Sequence, residues 1–535
     1  MSEFYTTIHA VRPGATKTAH QRRAKLLGPA LALGAVSLCA TWVGLSGDWV
    51  GDDWHMVDNY VYQDWAELGA VFHRNAAYYL FAEDQVGPYR PITMLTLVGT
   101  HLLSPRPWLH HLIGWLLHAV ASALLFVTLR QQLGAAAETS RPVQASAFLA
   151  ALFFMHPVQV EAYVWINGRS DLLAGFWLAS FAFLLERERP DDASRVRRSV
   201  VVGLVTFLGA GSKLPFVLAC LTVWLGWVLR RRPRDAGAYA AAIGVAIIAH
   251  AVLRSIFAPF SGELGTATNL FTDPGVWLAI PKLLAQGMLA IATFRAEAMQ
   301  SLSWVLFGPW EWPEVVALAA GLGVMALLAR RRDWASLVYI AGAFVTLAPV
   351  VAVSRSFWIG FDRYLYLPLM LLSFGVAPYL GRALSRVPVK VGLAVAVAAL
   401  TLAAIQTHTA SSAYADQEAY DRALERDHPT DPSIRYYFAR AADRRGDEAQ
   451  LRAILDGMPG PPWPRPIIVP VYELAEKTGN TQLALRAVAL LTDSVAEGAS
   501  CKDVAAQLER WRLRAEDAVV MGVLDHSISI TRCDR

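Results

Sequence analysis

Two adjacent carboxylates, Asp52 and Asp53 in Asp48-Trp49-Val50-Gly51-Asp52-Asp53-Trp54, are the residues of this 535-residue chain that most directly suggest acid–base chemistry. A lone Asp pair in a loop is ordinarily solvated or caps a helix, so by itself it decides nothing. Other ionisable residues add weight: Arg90 in Tyr89-Arg90-Pro91, His156 and Glu161 in His156-Pro157-Val158-Gln159-Val160-Glu161-Ala162, and Arg169 and Asp171 in Asn167-Gly168-Arg169-Ser170-Asp171. Lys213 in Ser212-Lys213-Leu214-Pro215 and Arg363 in Asp362-Arg363-Tyr364-Leu365-Tyr366-Leu367-Pro368 complete the set. Each stands near the end of an apolar run, where an ionisable group is costly unless it is paired or binds a ligand. Taken singly, each is a snorkelling side chain or a boundary ion pair such as Arg169 with Asp171. Together, carboxylates and several cations suit an anionic, amphipathic ligand, with Arg and Lys on a phosphate and apolar helices along its tail.

The elements that must position these residues are membrane helices. The chain is 55% hydrophobic and only 17% charged, with mean hydropathy +0.35, whereas soluble domains carry roughly 25% charged residues. Its net charge is only +4, and its arginines cluster in short loops rather than on a nucleic-acid-binding face, so no nucleic-acid partner is expected. Apolar length gives the spans, and the Lys/Arg clusters give their direction. Arg22, Arg23 and Lys25 keep residues 1–25 cytoplasmic. The run 26–46 is long for a signal peptide and lacks a small-residue cleavage site, so it reads as an uncleaved first span that delivers the loop 47–91 outside. Further spans are expected at 108–129, 145–155 and 172–185, and as two short crossings within 200–229 hinged near Gly209, Gly211 and Pro215. The remainder fall at 236–256, 315–329, 337–353, 364–380 and 391–405. Segments 92–103 and 276–293 read as interfacial or re-entrant, since a crossing at 276–293 would place Arg330, Arg331 and Arg332 outside. The expected fold is all-α, with a membrane domain over 26–408 of about eleven spans and every chemistry-bearing residue at the external face.

After Thr407 the composition turns to Glu, Asp, Arg, Gln and Ala, and its helical periodicity predicts an external soluble domain over 409–535. Residues 431–455 predict a helical hairpin turning at Arg445-Gly446-Asp447, similar to one degenerate tetratricopeptide unit, before a Pro-rich break at 457–466. No strict period of about 34 residues is visible, so a short appendage is expected rather than an array. Cys39 and Cys220 lie in apolar runs, Cys501 and Cys533 lie in the tail, and no CxxC occurs. That spacing disfavours a zinc site and leaves the tail cysteines either as a disulfide in an oxidising compartment or as two thiols.

Several ordered motifs between Tyr89 and Glu186 carry a resemblance: Tyr89-Arg90-Pro91-Ile92-Thr93, His110-His111-Leu112-Ile113, Leu117-His118-Ala119, the His156–Ala162 stretch and Gly168-Arg169-Ser170-Asp171-Leu172-Leu173-Ala174. With Asp52-Asp53 before Asp58-Asn59, and the Asp362–Pro368 motif, they resemble the transmembrane and tetratricopeptide-repeat-containing O-mannosyltransferase family and its bacterial relatives. The resemblance implies a GT-C glycosyltransferase fold, a dolichyl- or undecaprenyl-phosphate-linked sugar donor and a catalytic acidic motif in the first external loop. It assigns Asp52 as base and Asp53 as positioning group or metal ligand, and it carries Arg90, His111, His156, Glu161, Arg169, Asp171, Lys213, Arg363 and Tyr364 into a substrate-binding set. Leu214 stands where the family has Glu, and the tail is much shorter than the family's repeat array.

Those residue types fit the chemistry. Transfer from a polyprenyl phosphate needs one base for the acceptor hydroxyl proton, while the leaving phosphate needs cations rather than an acid. Adjacent residues point in different directions, so Asp52 and Asp53 do not form the spaced carboxylate pair of a soluble glycosidase. A divalent cation, Mg or Mn, would require waters or substrate oxygens beside these carboxylates. The acceptor hydroxyl belongs to a protein, a lipid or a glycan. Abundant Ala and Arg and the short tail point to a bacterial inner-membrane protein, with undecaprenyl phosphate as carrier and the tail in the periplasm. A lipid or polysaccharide transporter or flippase would place charges near mid-span and often show inverted repeats, neither of which is seen. A non-catalytic scaffold would use the tail helices to recruit partners.

Overall fold

A computed structural model describes residues 31–53, 65–74, 88–134, 141–187, 193–231, 235–257, 274–296, 310–349, 362–427, 431–459, 463, 465–493, 501–515 and 517–531. Arg22, Arg23 and Lys25, most of the loop 47–91, and Cys533 lie outside the described residues. Among the described residues every regular element is helical.

The membrane part comprises α1 (Leu31–Leu45), α2 (Pro91–Leu103), α3 (Pro107–Gly134), α4 (Pro142–Met155), α5 (Arg169–Glu186), α6 (Ala193–Ala210), α7 (Pro215–Arg231) and α8 (Ala236–Phe257). It continues through α9 (Pro274–Thr293), α10 (Trp312–Arg330), α11 (Trp334–Val345), α12 (Tyr366–Arg386) and α13 (Val389–Ser412). Proline opens several of these helices, where its missing N–H is no loss and its fixed φ is already helical. Glu311 and Glu314 form a capping box on α10, and Asp333 caps α11 by accepting from the Ser336 amide at 3.1 Å.

Five described helices are long and apolar enough to cross a membrane, or six if the pair Pro142–Met155 and Pro157–Tyr163, bent by 54°, is one span. The eleven expected crossings are therefore only partly supported by length and composition. Apart from the expected first span 26–46, which is described only from residue 31, the shortfall has two physical sources. Interior helices such as α5 carry ionic residues paired within the protein, which lowers their hydropathy. The expected span 337–353 is interrupted, because α11 ends at Val345. Pro349 has no N–H to return to the Val345 carbonyl. The segment 92–103 is helical but α2 has 13 residues, about 20 Å against a hydrocarbon core of about 30 Å.

α5 and α7 run side by side in the same direction and are tied at both ends. Asp171 pairs with Lys213 at one end, and Glu186 pairs with Arg230 and Arg231 at the other. Asp171 and Glu186 are 15 residues apart on α5, so the two ionic layers stand about 22 Å apart, within a hydrocarbon core of about 30 Å. Between them, close backbone approach sets the helix contacts. A Cβ at Gly175 would lie 2.0 Å from the Tyr366 ring, so only glycine lets α5 and α12 meet there.

The C-terminal part contains α14 (Gln417–Asp427), α15 (Pro432–Arg445), α16 (Glu448–Asp456), α17 (Arg465–Thr478), α18 (Thr481–Asp493), α19 (Cys501–Arg512) and α20 (Ala518–Ile530). The helices α15/α16, α17/α18 and α19/α20 pack as three successive hairpins. Gly446 and Gly479 supply the left-handed residue at the first two turns, with φ of 70° and 69°. One hairpin was legible in the sequence, and two more follow it. Cys501 is disulfide-bonded. Its expected partner, Cys533, lies outside the described residues.

Two apolar cores meet at α15. Ile434, with Tyr437 and Phe438, faces the membrane-part core that also holds Val50, Tyr414 and Tyr420. Tyr436, Ala439 and Ala442 face the core of the hairpins.

Candidate functional site

The site is built where the first loop, the α4–α5 connection, the α6–α7 turn and the start of α12 converge. α1 leads into a short 3-10 turn, Gly51–Asp53. Gly51 has φ +55°, a left-handed conformation that a residue with a Cβ adopts only under strain. Asp53 is fully buried. Its carboxylate accepts hydrogen bonds from the Asn167 amide at 2.9 Å and the Ile166 amide at 3.4 Å, and it interacts electrostatically with Arg169. Asp53 therefore caps the 3-10 turn Ile166–Gly168 from a distant part of the chain, as an N-cap carboxylate does. The turn comprising Asp52 is described, but the Asp52 side chain lies outside the described residues.

The α4–α5 connection is compact because Gly168 lies against it: a Cβ there would meet the Glu161 carbonyl oxygen at 2.5 Å. It presents Glu161 on Val160–Tyr163, Trp165 beside the 3-10 turn, and Arg169 and Asp171 in the first turn of α5. Arg169 donates to the His110 carbonyl oxygen at 2.8 Å. Glu161 Oε2 accepts from the Arg363 amide at 2.9 Å.

Lys213 and Arg363 form the cationic centre. The Lys213 ammonium bonds Asp171 Oδ1 and lies 4.1 Å from the Tyr364 ring centroid. Arg363 Nε stands 3.9 Å from Glu161 and 4.0 Å from Asp171, with the guanidinium carbon 4.4 Å from the Trp165 ring centroid. Arg90, just before α2, reaches Ser170 Oγ at 3.5 Å, and its charge and that of Arg363 both act on Lys213. α2 is fastened to the lysine turn by Ile92 N to Gly211 O at 3.1 Å and Thr93 Oγ1 to Ser212 O at 3.0 Å.

Of the residues singled out in the sequence, Arg90, Glu161, Asp171, Lys213, Arg363 and Tyr364 thus join one cluster, and Asp53 and Arg169 adjoin it through the Ile166–Gly168 turn. His111 is buried beside Val164 and Arg169. His156 makes its contacts elsewhere: it accepts from the Val158 amide at 3.4 Å, meets the Ile291 carbonyl at 3.0 Å and stacks on Phe294. Leu214 is 39% exposed while Lys213 beside it is buried. Sequence reasoning missed Trp165, whose signal was an aromatic residue between the Glu161 and Arg169 motifs. It also missed the site role of Ser170. Among the described residues no three His, Cys, Asp or Glu side chains gather as a metal-holding set.

Such an arrangement can hold a phosphate against cations already oriented by carboxylates and aromatic faces, since fixed charges in a dry site need little rearrangement. No family model matches the chain. The chain is similar to protein O-mannosyl-transferases. It is 34% identical over 107 residues to TMTC3 of Mus musculus, covering 20% of this chain and 11% of that protein. It is 31% identical over 196 residues to TMTC4 of Homo sapiens, covering 34% and 26%, and 30% identical over 131 residues to Tmtc2 of Drosophila melanogaster, covering 24% and 13%. The matched part is thus about a quarter or less of each relative's length.

Proposed function

We propose that this chain is a membrane glycosyltransferase that moves a sugar, mannose by analogy with its relatives, from a polyprenyl-phosphate carrier to a hydroxyl of a protein acceptor at the external face. The observation that carries the reading is the convergence of Arg90, Lys213 and Arg363, from three separate segments, at one end of an apolar helix bundle and beside the Asp52-Asp53 turn. Paired cations at that position suit the phosphate of a lipid carrier, with its isoprenoid tail along the helices.

In the proposed step the acceptor oxygen attacks the anomeric carbon, the bond from that carbon to the phosphate oxygen breaks, and the hydroxyl proton passes to Asp52. Polyprenyl phosphate leaves with the electron pair of the broken bond, its charge held by Lys213 and Arg363. Asp53 positions the turn, and Glu161 and Asp171 orient the two cations. A GT-C fold, an undecaprenyl carrier, a bacterial inner membrane and a periplasmic tail belong to this reading. The disulfide at Cys501 supports an oxidising compartment for the hairpins.

The test is a transfer assay on purified full-length protein in lipid nanodiscs with a panel of polyprenyl-phosphate sugars and serine- or threonine-containing acceptor peptides, read by mass spectrometry. Glycosylated product with one donor supports the reading. Absence of product with every donor, together with movement of donor lipid across the bilayer, replaces it with transport.

A further inference from the structure

We infer that Gln417, the first residue of α14, is a positioning residue that sets the Asp52-Asp53 turn and links it to the C-terminal hairpins; this rests on the proposed role of that turn. The Gly51 amide donates to Gln417 Oε1 at 2.9 Å. On its other side, Gln417 Nε2 donates to Tyr437 Oη at 2.6 Å and to Asp421 Oδ1 at 2.7 Å. The bonds to Gly51 and Asp421 fix the amide orientation, because the oxygen faces an N–H and the NH₂ faces a carboxylate; the reversed amide would lose both.

The same segment grips the turn at two further points. The Asp48 amide donates to the Ala415 carbonyl oxygen at 3.0 Å. The Tyr420 ring lies under Gly51, 3.3 Å from where a Cβ would stand. Tyr437 belongs to α15, whose opposite face is embedded in the hairpin core. A continuous chain of contacts therefore runs from the hairpins through Tyr437 and Gln417 to the backbone of the residue before Asp52. None of these contacts touches Lys213, Arg363 or their carboxylates, so the device governs the turn and not the phosphate-binding cluster.

A displaced base lowers turnover steeply, since misplacement by about 1 Å costs up to about 10²-fold. Donor affinity, set by the separate cationic cluster, is left in place. The full chain is compared with Gln417→Ala, Gln417→Glu combined with Asp421→Asn, and Tyr437→Phe by steady-state transfer, donor-lipid binding and hydrogen–deuterium exchange of the peptide spanning Gly51. Gln417→Ala is expected to lower kcat about 10-fold or more, leave donor KM and binding within about twofold, and speed exchange at Gly51. Gln417→Glu keeps the oxygen that accepts from Gly51 but sets a carboxylate against Asp421, so it is combined with Asp421→Asn, whose amide can donate to it, and this pair is expected to restore slow exchange and part of kcat. Tyr437→Phe is expected to lower kcat by a smaller factor without changing donor affinity. If Gln417→Ala exchanges faster yet keeps wild-type kcat, the inference fails while the proposed function stands. Equal losses in kcat and donor affinity, with no rescue by the Gln417→Glu and Asp421→Asn pair, mean general destabilisation and also overturn it. Wild-type protein that transfers no sugar removes the proposed function and this inference with it.

Discussion

The Asp171–Lys213 pair offers the sharpest test of the cluster. The Lys213 side chain is 4% exposed and Asp171 is its one carboxylate partner among the described residues. Asp171→Asn leaves the buried ammonium with a neutral amide oxygen, the Tyr364 face and the more distant Glu161 beside it, and removing one charge of a buried pair costs about 3–5 kcal/mol. Lys213→Met is expected to cost less, about 1–3 kcal/mol, because Asp171 retains Arg363 at 4.0 Å. The double variant removes both charges and is expected to lie within about 2 kcal/mol of wild type, since a buried pair replaced by neutral groups is often nearly neutral. With single costs near about 4 and about 2 kcal/mol and a double at or below about 2, the cycle then yields a coupling of about 4 kcal/mol or more, above the usual range for contacting residues. Denaturation in mixed micelles measures the three stabilities, and the transfer assay is run on the same samples. Stability is expected to return in the double variant while transfer does not, because Lys213 is also assigned to the leaving phosphate. A coupling below about 1 kcal/mol, the range of exposed pairs, would refute the burial argument. Full recovery of transfer in the double variant would refute the role of Lys213 in holding phosphate.

Asp52→Asn is expected to lower turnover by about 10²-fold or more with donor binding intact, whereas Asp53→Ala should chiefly lower stability, by about 1–3 kcal/mol, through lost caps on Ile166 and Asn167; wild-type transfer in both Asp52→Asn and Asp53→Asn removes the first-loop carboxylates from the chemistry. Reporter fusions after Arg198, Arg234, Arg332 and Arg386 should read cytoplasmic, and fusions after Asp84 and in the tail external; a cytoplasmic tail overturns the proposed orientation. Non-reducing peptide mapping should link the Cys501 and Cys533 peptides, and reduction should destabilise the tail by roughly 3 kcal/mol, the effect of opening a loop of about 30 residues; two free thiols would contradict the assignment.

Apolar runs bounded by arginines made the helix positions legible. The need to bring Arg230 and Arg231 back to the side of Arg187 and Arg198 called for a break near residues 209–215, and α6 ends at Ala210 and α7 begins at Pro215. The interruption after Val345 was less visible, because Leu347, Ala348 and Val350 continue the apolar pattern around Pro349. The ionisable motifs identified most of the cluster, since such groups at helix ends need partners. Which partners they take was not readable. Asp53 meets amides 113 and 114 residues away, and no local periodicity encodes that contact. Trp165 escaped notice because an aromatic residue near a membrane boundary is unremarkable until an Arg is found over its face. His156 looked like the rest of the set from its motif, yet its carbonyl and amide contacts lie elsewhere.

The division of α15 between two cores bears on how the chain comes apart. A cooperative unfolding unit ends where few apolar contacts cross it. The composition boundary after Thr407 is not such a place, because Tyr414, Tyr420, Leu424 and Ile434 lie beyond it and are buried with Val50 and Leu45. Proteolysis or truncation there would strip the outer end of the bundle of its cover, exposing the first loop as well as freeing the tail. The weaker seam falls between α16 and α17, at the Pro-rich stretch 457–466 that separates the first hairpin from the second. Slowly exchanging amides are therefore expected to continue from α13 through α14 into α15, and the first partial opening to release α17 to α20 while the grip on the first loop holds.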